Sequence, residues 1–195
     1  AGNLLAMGCL MALYDRERTG VGRWVTTSLL EAQIFMLDFQ ASRWLMEGEV
    51  AGQAGNDHPT GIPTGVFRTK DGHINIAANK QEQWESVCDV LGVPELKTDE
   101  RFAERDTRKK NRHALTPLLE AKLAERPTSE WVDLLNAKDV PSGDIRTLGQ
   151  ALSQPQVVHR KTLENVEAPG IGTLPLFNLT ARLEKTPGAI EAPPP

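Results

Sequence analysis

His58 stands in a stretch crowded with chain-breaking residues. Gly52, Gly55, Asn56, Asp57, Pro59, Gly61 and Pro63 all fall between Glu49 and Thr64. A polar side chain on a loop held by rigid elements is where functional contacts concentrate, which makes His58 a candidate for one. The other three histidines, His73, His113 and His159, have no second ligand at the spacing of a zinc or iron site, so no metal is expected. Gly20-Val21-Gly22 follows a helical pattern instead of a strand and lacks the third glycine of a dinucleotide fingerprint; it reads as a helix stop and a tight turn. The chain has no Gly-x-Ser-x-Gly elbow, the usual signal of a Ser-His-Asp hydrolase. Asp99-Glu100 and Glu104-Arg105-Asp106 are interleaved with Lys and Arg and read as solvated helix faces.

Ordinary elements must position that loop. The chain has 195 residues, 39% hydrophobic and 25% charged, as in a typical globular protein. A net charge of -4 with scattered Lys and Arg gives no reason to expect nucleic acid or an anionic membrane as partner. Cys9 and Cys88 lie far apart and fit two buried thiols in a reducing compartment, so the expectation is a cytoplasmic protein. Leu4 to Tyr14 is apolar on nearly every side and reads as a buried helix, stopped at Gly20. That apolar start, without an initiator Met, predicts that the domain has an earlier half. Val25, Thr27 and Leu29 alternate as in a short strand. Ser28-Leu29-Leu30-Glu31 is a capping box opening a helix with Ile34, Leu37, Ala41 and Leu45, ending near Gly48.

Residues 49–64 read as a loop crossing between domains. Gly65–Thr69 and His73–Ala77 flank Lys70-Asp71-Gly72 as a hairpin, followed by a helix with Trp84, Val87, Cys88 and Leu91 on one face. Further helices fit Arg108–Glu125, with Pro117 marking a kink or fresh start, and Ser129–Asn136. Beyond Val140-Pro141-Ser142-Gly143, Gly170, Gly172 and Pro175 cut the chain into short extended pieces. These elements alone describe an α+β domain.

Several stretches, taken in order, resemble the class III CoA-transferases of the formyl-CoA transferase type (the CaiB/BaiF family). Ala1–Gly8 leading to Arg16-Glu17-Arg18-Thr19-Gly20-Val21-Gly22-Arg23 is similar to the helix after the family's catalytic aspartate and its "R-x-x-T-G-x-G" turn. Val25–Ala32 is similar to the strand and helix that follow. Phe67–Ile74 is similar to the "Y-x-x-x-D-G" hairpin of the small domain. Asp99-Glu100-Arg101-Phe102 with Arg108, Asn111 and Arg112, then Lys138–Gly143 with Gln154–Val157, continue the order. The tail Glu191–Pro194 resembles the approach to the family's "P-x-L-G" segment.

The resemblance implies an α/β large domain, partial here over residues 1–48, and a linker over 49–64. A small α+β domain would occupy 65–145, with 146–195 returning toward the large domain. Two full-length protomers would interlock as a homodimer. It implies transfer of coenzyme A between an acyl-CoA and a small carboxylic acid, with the CoA thioester as substrate and no permanently bound cofactor or metal. The nucleophilic aspartate would lie just before Ala1, so no residue of this chain is expected to be catalytic. Gly52, Gly55, Asn56, Asp57, His58 and Gly61 correspond to the glycine-rich lid that shields the reactive intermediate from water; a simple interdomain linker is the plain alternative. A racemase of α-methylacyl-CoA type shares the fold but needs an acid/base pair, and Lys80 stands where it would carry a glutamate. A third reading is an inactive structural or dimer-forming piece.

Overall fold

The computed structural model describes residues 1–59 and 61–193 and divides into two compact units, Ala1–Gly55 and Asn56–Pro195. The resemblance drawn on the tail Glu191–Pro194 therefore falls partly outside the described residues.

In the first unit, α1 (Gly2–Thr19) ends on Gly20 at φ 70, whose N–H bonds to the Arg16 carbonyl, with Arg16 and Arg18 in the last turn facing the negative end of the helix dipole. The chain then turns back along α1. Arg23 pairs with Asp15 at 2.8 Å, and Val25 packs so closely on Gly8 that a Cβ there would meet its methyl at 2.8 Å. Val25–Leu29 is accordingly not a strand: it lies on a helix, which has no free backbone groups to form a ladder with it. Ser28 caps α2 (Leu29–Phe35), its Oγ accepting from the Glu31 N–H and donating to the Glu31 carboxylate. The single helix expected from 28 to 48 is interrupted. Leu37 and Asp38 turn on i→i+3 bonds to Ile34 and Phe35, Asp38 takes φ 48, and α3 (Phe39–Glu47) restarts and stops at Gly48.

The all-round cover expected for the first helix is not supplied within this chain. No α1 side chain is buried, and among the described residues of this unit only Ala32 is. Leu10, Met11, Tyr14, Trp24, Phe35 and Met46 are exposed.

The second unit is built on an antiparallel sheet of β1 (Thr64–Arg68), β2 (His73–Ala77) and β3 (Ser142–Asp144), in that order. Register sets Phe67 opposite Ile74 and Gly65 opposite Ile76, so Phe67, Ile74 and Ile76 share one face and are buried. Helices cover that face. α4 (Gln81–Leu91) buries Trp84, Val87, Cys88 and Leu91, as its spacing predicts. A 3-10 turn (Pro94–Lys97) and α5 (Arg105–Lys110) follow. α6 (Arg112–Leu123) brings in Leu115, Leu119 and Leu123, and α7 (Thr128–Asn136) brings in Trp131 and Leu135. Trp131 donates its indole N–H to the Leu123 carbonyl at 2.8 Å. Burial at the centre of this core pushes the Cys88 thiol up to about 12.

Two boundaries differ from the sequence reading. The break in 108–125 falls at Asn111, and Pro117 sits inside α6 on its exposed side, where water can serve the carbonyl it leaves unpaired. The chain past 145 is more regular than expected. After α8 (Leu148–Leu152) and α9 (Pro155–His159), β4 (Leu163–Ala168) pairs with β5 (Gly172–Phe177) around Gly170 and Gly172 at φ 80 and 100. Pro175 lies within β5, in a two-stranded sheet where every strand is an edge and a missing N–H is tolerated.

The hairpin turn also caps a helix. Asp71 accepts from both the Thr128 N–H and the Thr128 hydroxyl at 2.8 Å, supplying an acceptor at the start of α7 where Pro127 has none to give. Those two bonds, the amide's first, hold the Asp71 carboxyl below its ordinary range. A depressed carboxyl stabilises the fold above its unfolded pKa of about 3.9 and loses that effect as pH falls through its folded value. Asp71→Ala should therefore lower Tm by several degrees at pH 7, and the gap from the native chain should narrow below pH of about 4, as thermal melts across pH would record. For the first unit, the exposed apolar surface of α1 to α3 amounts to roughly several hundred Å² or more, beyond what soluble monomers usually leave open. The 195-residue chain should self-associate in sedimentation, and removal of residues 1–49 should give a better-behaved second unit; a clean monomer for the whole chain would contradict this.

Candidate functional site

The candidate loop residues divide between the two units. Gly52 and Gly55 belong to the first; Asn56, Asp57, His58 and Gly61 belong to the second. Gly52 has open space where a Cβ would stand, and Gly55 takes φ 59.

Asp57, His58 and Gly61 are tied down from several directions. The first two extend the sheet: Asp57 bridges to Gly65, and the His58 N–H bonds to the Thr64 carbonyl at 3.0 Å, closing the outer edge of β1. Gly65 allows this approach, since at φ 152 its missing Cβ would meet the Asn56 carbonyl at 2.8 Å. Within the loop, the Gly61 N–H bonds to His58 Nδ1 at 2.9 Å, which places the proton of a neutral imidazole on Nε2. From the start of α6, Arg112 donates Nη2 to the carbonyls of His58 and Gly61, the latter at 3.2 Å, while its Nη1 lies 3.7 Å from the Asp57 carboxylate.

On the other side stands Asn79, at the junction between β2 and α4. Its Oδ1 accepts from the Thr64 hydroxyl at 3.0 Å and lies so near Gly61 that a Cβ there would come within 1.9 Å of it. Gln83 anchors the junction by accepting from the N–H groups of Asn79 and Lys80. Lys80 is exposed at the head of α4.

Next to the loop, Arg108 is fully buried. It donates to the carbonyls of Phe102 and Ala103 at 2.8 and 2.7 Å, to the Ile62 carbonyl at 3.4 Å and to Gln81 Oε1 at 2.9 Å, and its guanidinium lies 5.0 Å from the centre of the Trp84 ring. Burial lowers its pKa, but a guanidinium starts so high that it keeps its charge.

Chemically, this is a shaped loop, with Asp57 beside an arginine and His58 Nδ1 bonded to a backbone amide. Among the described residues no three His, Cys, Asp or Glu side chains come together as a metal site. Of the sequence candidates the structure brings together Asp57, His58 and Gly61. Sequence reasoning missed Asn79 and the use of Arg112.

The family model of CoA-transferase family III matches residues 1–195. The chain belongs to that family. Within CoA-transferase family III it is similar to the succinyl-CoA:glutarate CoA-transferase of Mus musculus, 32% identical over 196 residues, covering all of this chain and 45% of that one. It is 33% identical over 162 residues to the acetyl-CoA:oxalate CoA-transferase of Acetobacter aceti, covering 83% and 42%. The crystal structure of Rv3272 from M. tuberculosis, orthorhombic form, matches with TM-score 0.85 and 30% identity over all of this chain and 51% of that one. A CAIB/BAIF family protein from Brucella suis matches with TM-score 0.77 and 29% identity, over 95% and 48%. The mixed helix-and-strand fold is thus that of class III CoA-transferases, and the chain spans about half the length of the relatives it matches. No described helix is long and apolar enough to cross a membrane.

The close approach at Gly65 is directly testable. Gly65→Ala should cost about 1–3 kcal/mol through its positive φ and the clash with the Asn56 carbonyl, read by denaturant unfolding of the second unit.

Proposed function

We propose that this chain forms part of an enzyme that transfers coenzyme A from an acyl-CoA to a carboxylic acid, working as a cytoplasmic homodimer. The observation that carries the reading is the match of CoA-transferase family III along the entire chain, with relatives bearing that activity in their names. In this reading an aspartate outside these 195 residues attacks the thioester carbonyl, releasing CoA thiolate and forming a mixed anhydride. The thiolate attacks the aspartyl carbonyl, giving aspartyl-CoA thioester and freeing the donor acid. The acceptor carboxylate displaces the thiolate to form a second anhydride. Thiolate attack on the acceptor's carbonyl then releases the new acyl-CoA and regenerates the aspartate. A carboxylate suits this role because each adduct stays activated, so no resident metal or cofactor is required.

Residues 65–145 serve as the small domain, 1–48 and 146–195 as parts of the large-domain path, and 49–64 as the crossing between them. Gly52, Gly55, Asn56, Asp57, His58 and Gly61 belong to the cover that keeps water from the anhydride. The paired arrangement around Asp57 and His58 supports a shaping role over an acid/base one.

The test supplies the complete protein with succinyl-CoA plus glutarate, and with acetyl-CoA plus oxalate, the acceptor carboxylates labelled with 18O. Expected are the new CoA thioester from at least one pair and 18O in an enzyme aspartate, with the 195-residue chain alone inactive. Transfer by the 195-residue chain, or epimerisation of a 2-methylacyl-CoA with no transfer, would overturn the reading.

A further inference from the structure

A loop that sits over a reactive centre needs either freedom to move or a residue that fixes its shape. Asp57 to Gly61 meets Arg112 at three points, the carbonyls of His58 and Gly61 and the carboxylate of Asp57. Those groups lie at the two ends of the loop and near its start, so a single planar guanidinium draws the ends together. Lysine, with one compact ammonium, cannot present the same fork.

The opposite side is closed as well. Asn79 packs on the α-carbon of Gly61, and one helix segment earlier Arg108 holds the Ile62 carbonyl. The space between the loop and α6, lined by Asp57, Ile62, Phe67, Arg112 and Leu115, is about 10 Å³. That is at the lower limit for one water molecule, so this space is too small to hold a ligand. The arginine's Nη2 bonds to the chain itself and its Nη1 faces the Asp57 carboxylate.

We propose that Arg112 is a positioning residue that fixes the Asp57–Gly61 loop, and His58 within it, as a rigid part of the second unit. Arg112 does not touch substrate; it acts through the loop. A consequence for catalysis rests on the CoA-transfer reading: with the loop fixed, water is kept from the acyl intermediate, and with it loosened, hydrolysis competes with transfer.

Hydrogen exchange by mass spectrometry on the complete protein tests the fixing role without reference to activity. In Arg112→Ala, exchange at the His58 and Gly61 amides should rise at least about tenfold, while peptides from β1 and β2 keep their native rates. Arg112→Lys should fall between the two, because the charge near Asp57 remains but all its donors sit on one nitrogen. Unchanged loop exchange in Arg112→Ala would overturn the proposal. So would a uniform rise across loop and strands, which would make Arg112 a general stabiliser. Alongside, the ratio of thioester hydrolysis to transfer, measured with succinyl-CoA and glutarate and with acetyl-CoA and oxalate, should rise several-fold in Arg112→Ala. A complete protein that transfers CoA with neither pair would count against that functional reading, while the exchange result would still decide the role of Arg112.

Discussion

The second unit depends on a charge placed where charges are expensive. Arg108 is buried against Trp84 and directs its donors to neutral oxygens: three backbone carbonyls and one amide side chain. Burying an ion without satisfying it costs far more than a hydrogen bond returns, so those oxygens must stay in place. They come from the start of α4, from the turn at 102–103 and from the chain entering β1. A single side chain therefore makes three segments with no common ladder mutually dependent. The candidate loop runs directly into Ile62, one of those segments, so the residue that follows it is held by the core.

What the sequence made legible follows the same division between periodic and convergent features. The hairpin and α4 were readable because alternation and 3.6-residue spacing are local properties, and Phe67, Ile74, Ile76, Trp84 and Val87 all face the core as their spacing requires. The interruption at 36–38 was not readable because apolar spacing runs on across it, and the break at Asn111 because no apolar residue lies between Ala103 and Ala114 to show the phase. Val25–Leu29 misled for a related reason: alternation reports which side chains can share a face, whereas a strand also needs a neighbour with free backbone groups. Pro117 misled because on an exposed helix face water can serve the carbonyl it orphans, so the helix tolerates it.

The candidate loop was legible in composition and not in geometry. Glycines at 52, 55 and 61 read alike in the sequence, yet Gly52 has open space around it while Gly61 is pressed against Asn79. Gly65, read only as the first residue of a strand, carries the tightest backbone constraint beside the loop. Arg112 and Asn79 come from elements 51 and 18 residues beyond Gly61, and nothing local to either position marks them as contacts of the loop. Long-range convergence of this kind is what a single sequence leaves out.

The first unit is the reverse case, in which composition stated the constraint and the chain does not satisfy it. α1 carries Leu, Met, Cys and Tyr around its circumference, and although the returning segment at Arg23–Val25 lies against it, none of its side chains is buried. A helix with apolar residues all round can be stable in water only when they are covered, since apolar surface removed from water contributes about 25 cal/mol per Å². The exposed residues continue through Leu29, Ile34 and Phe35 on α2 and Trp44, Leu45 and Met46 on α3, so the need for cover belongs to all three helices. Three helices with one buried alanine between them have almost no core of their own. Their sequence is consistent only with burial in a larger assembly of chain, whereas the second unit, with Trp84, Phe102, Leu119 and Leu135 fully enclosed, already has the core that a separate folding unit requires.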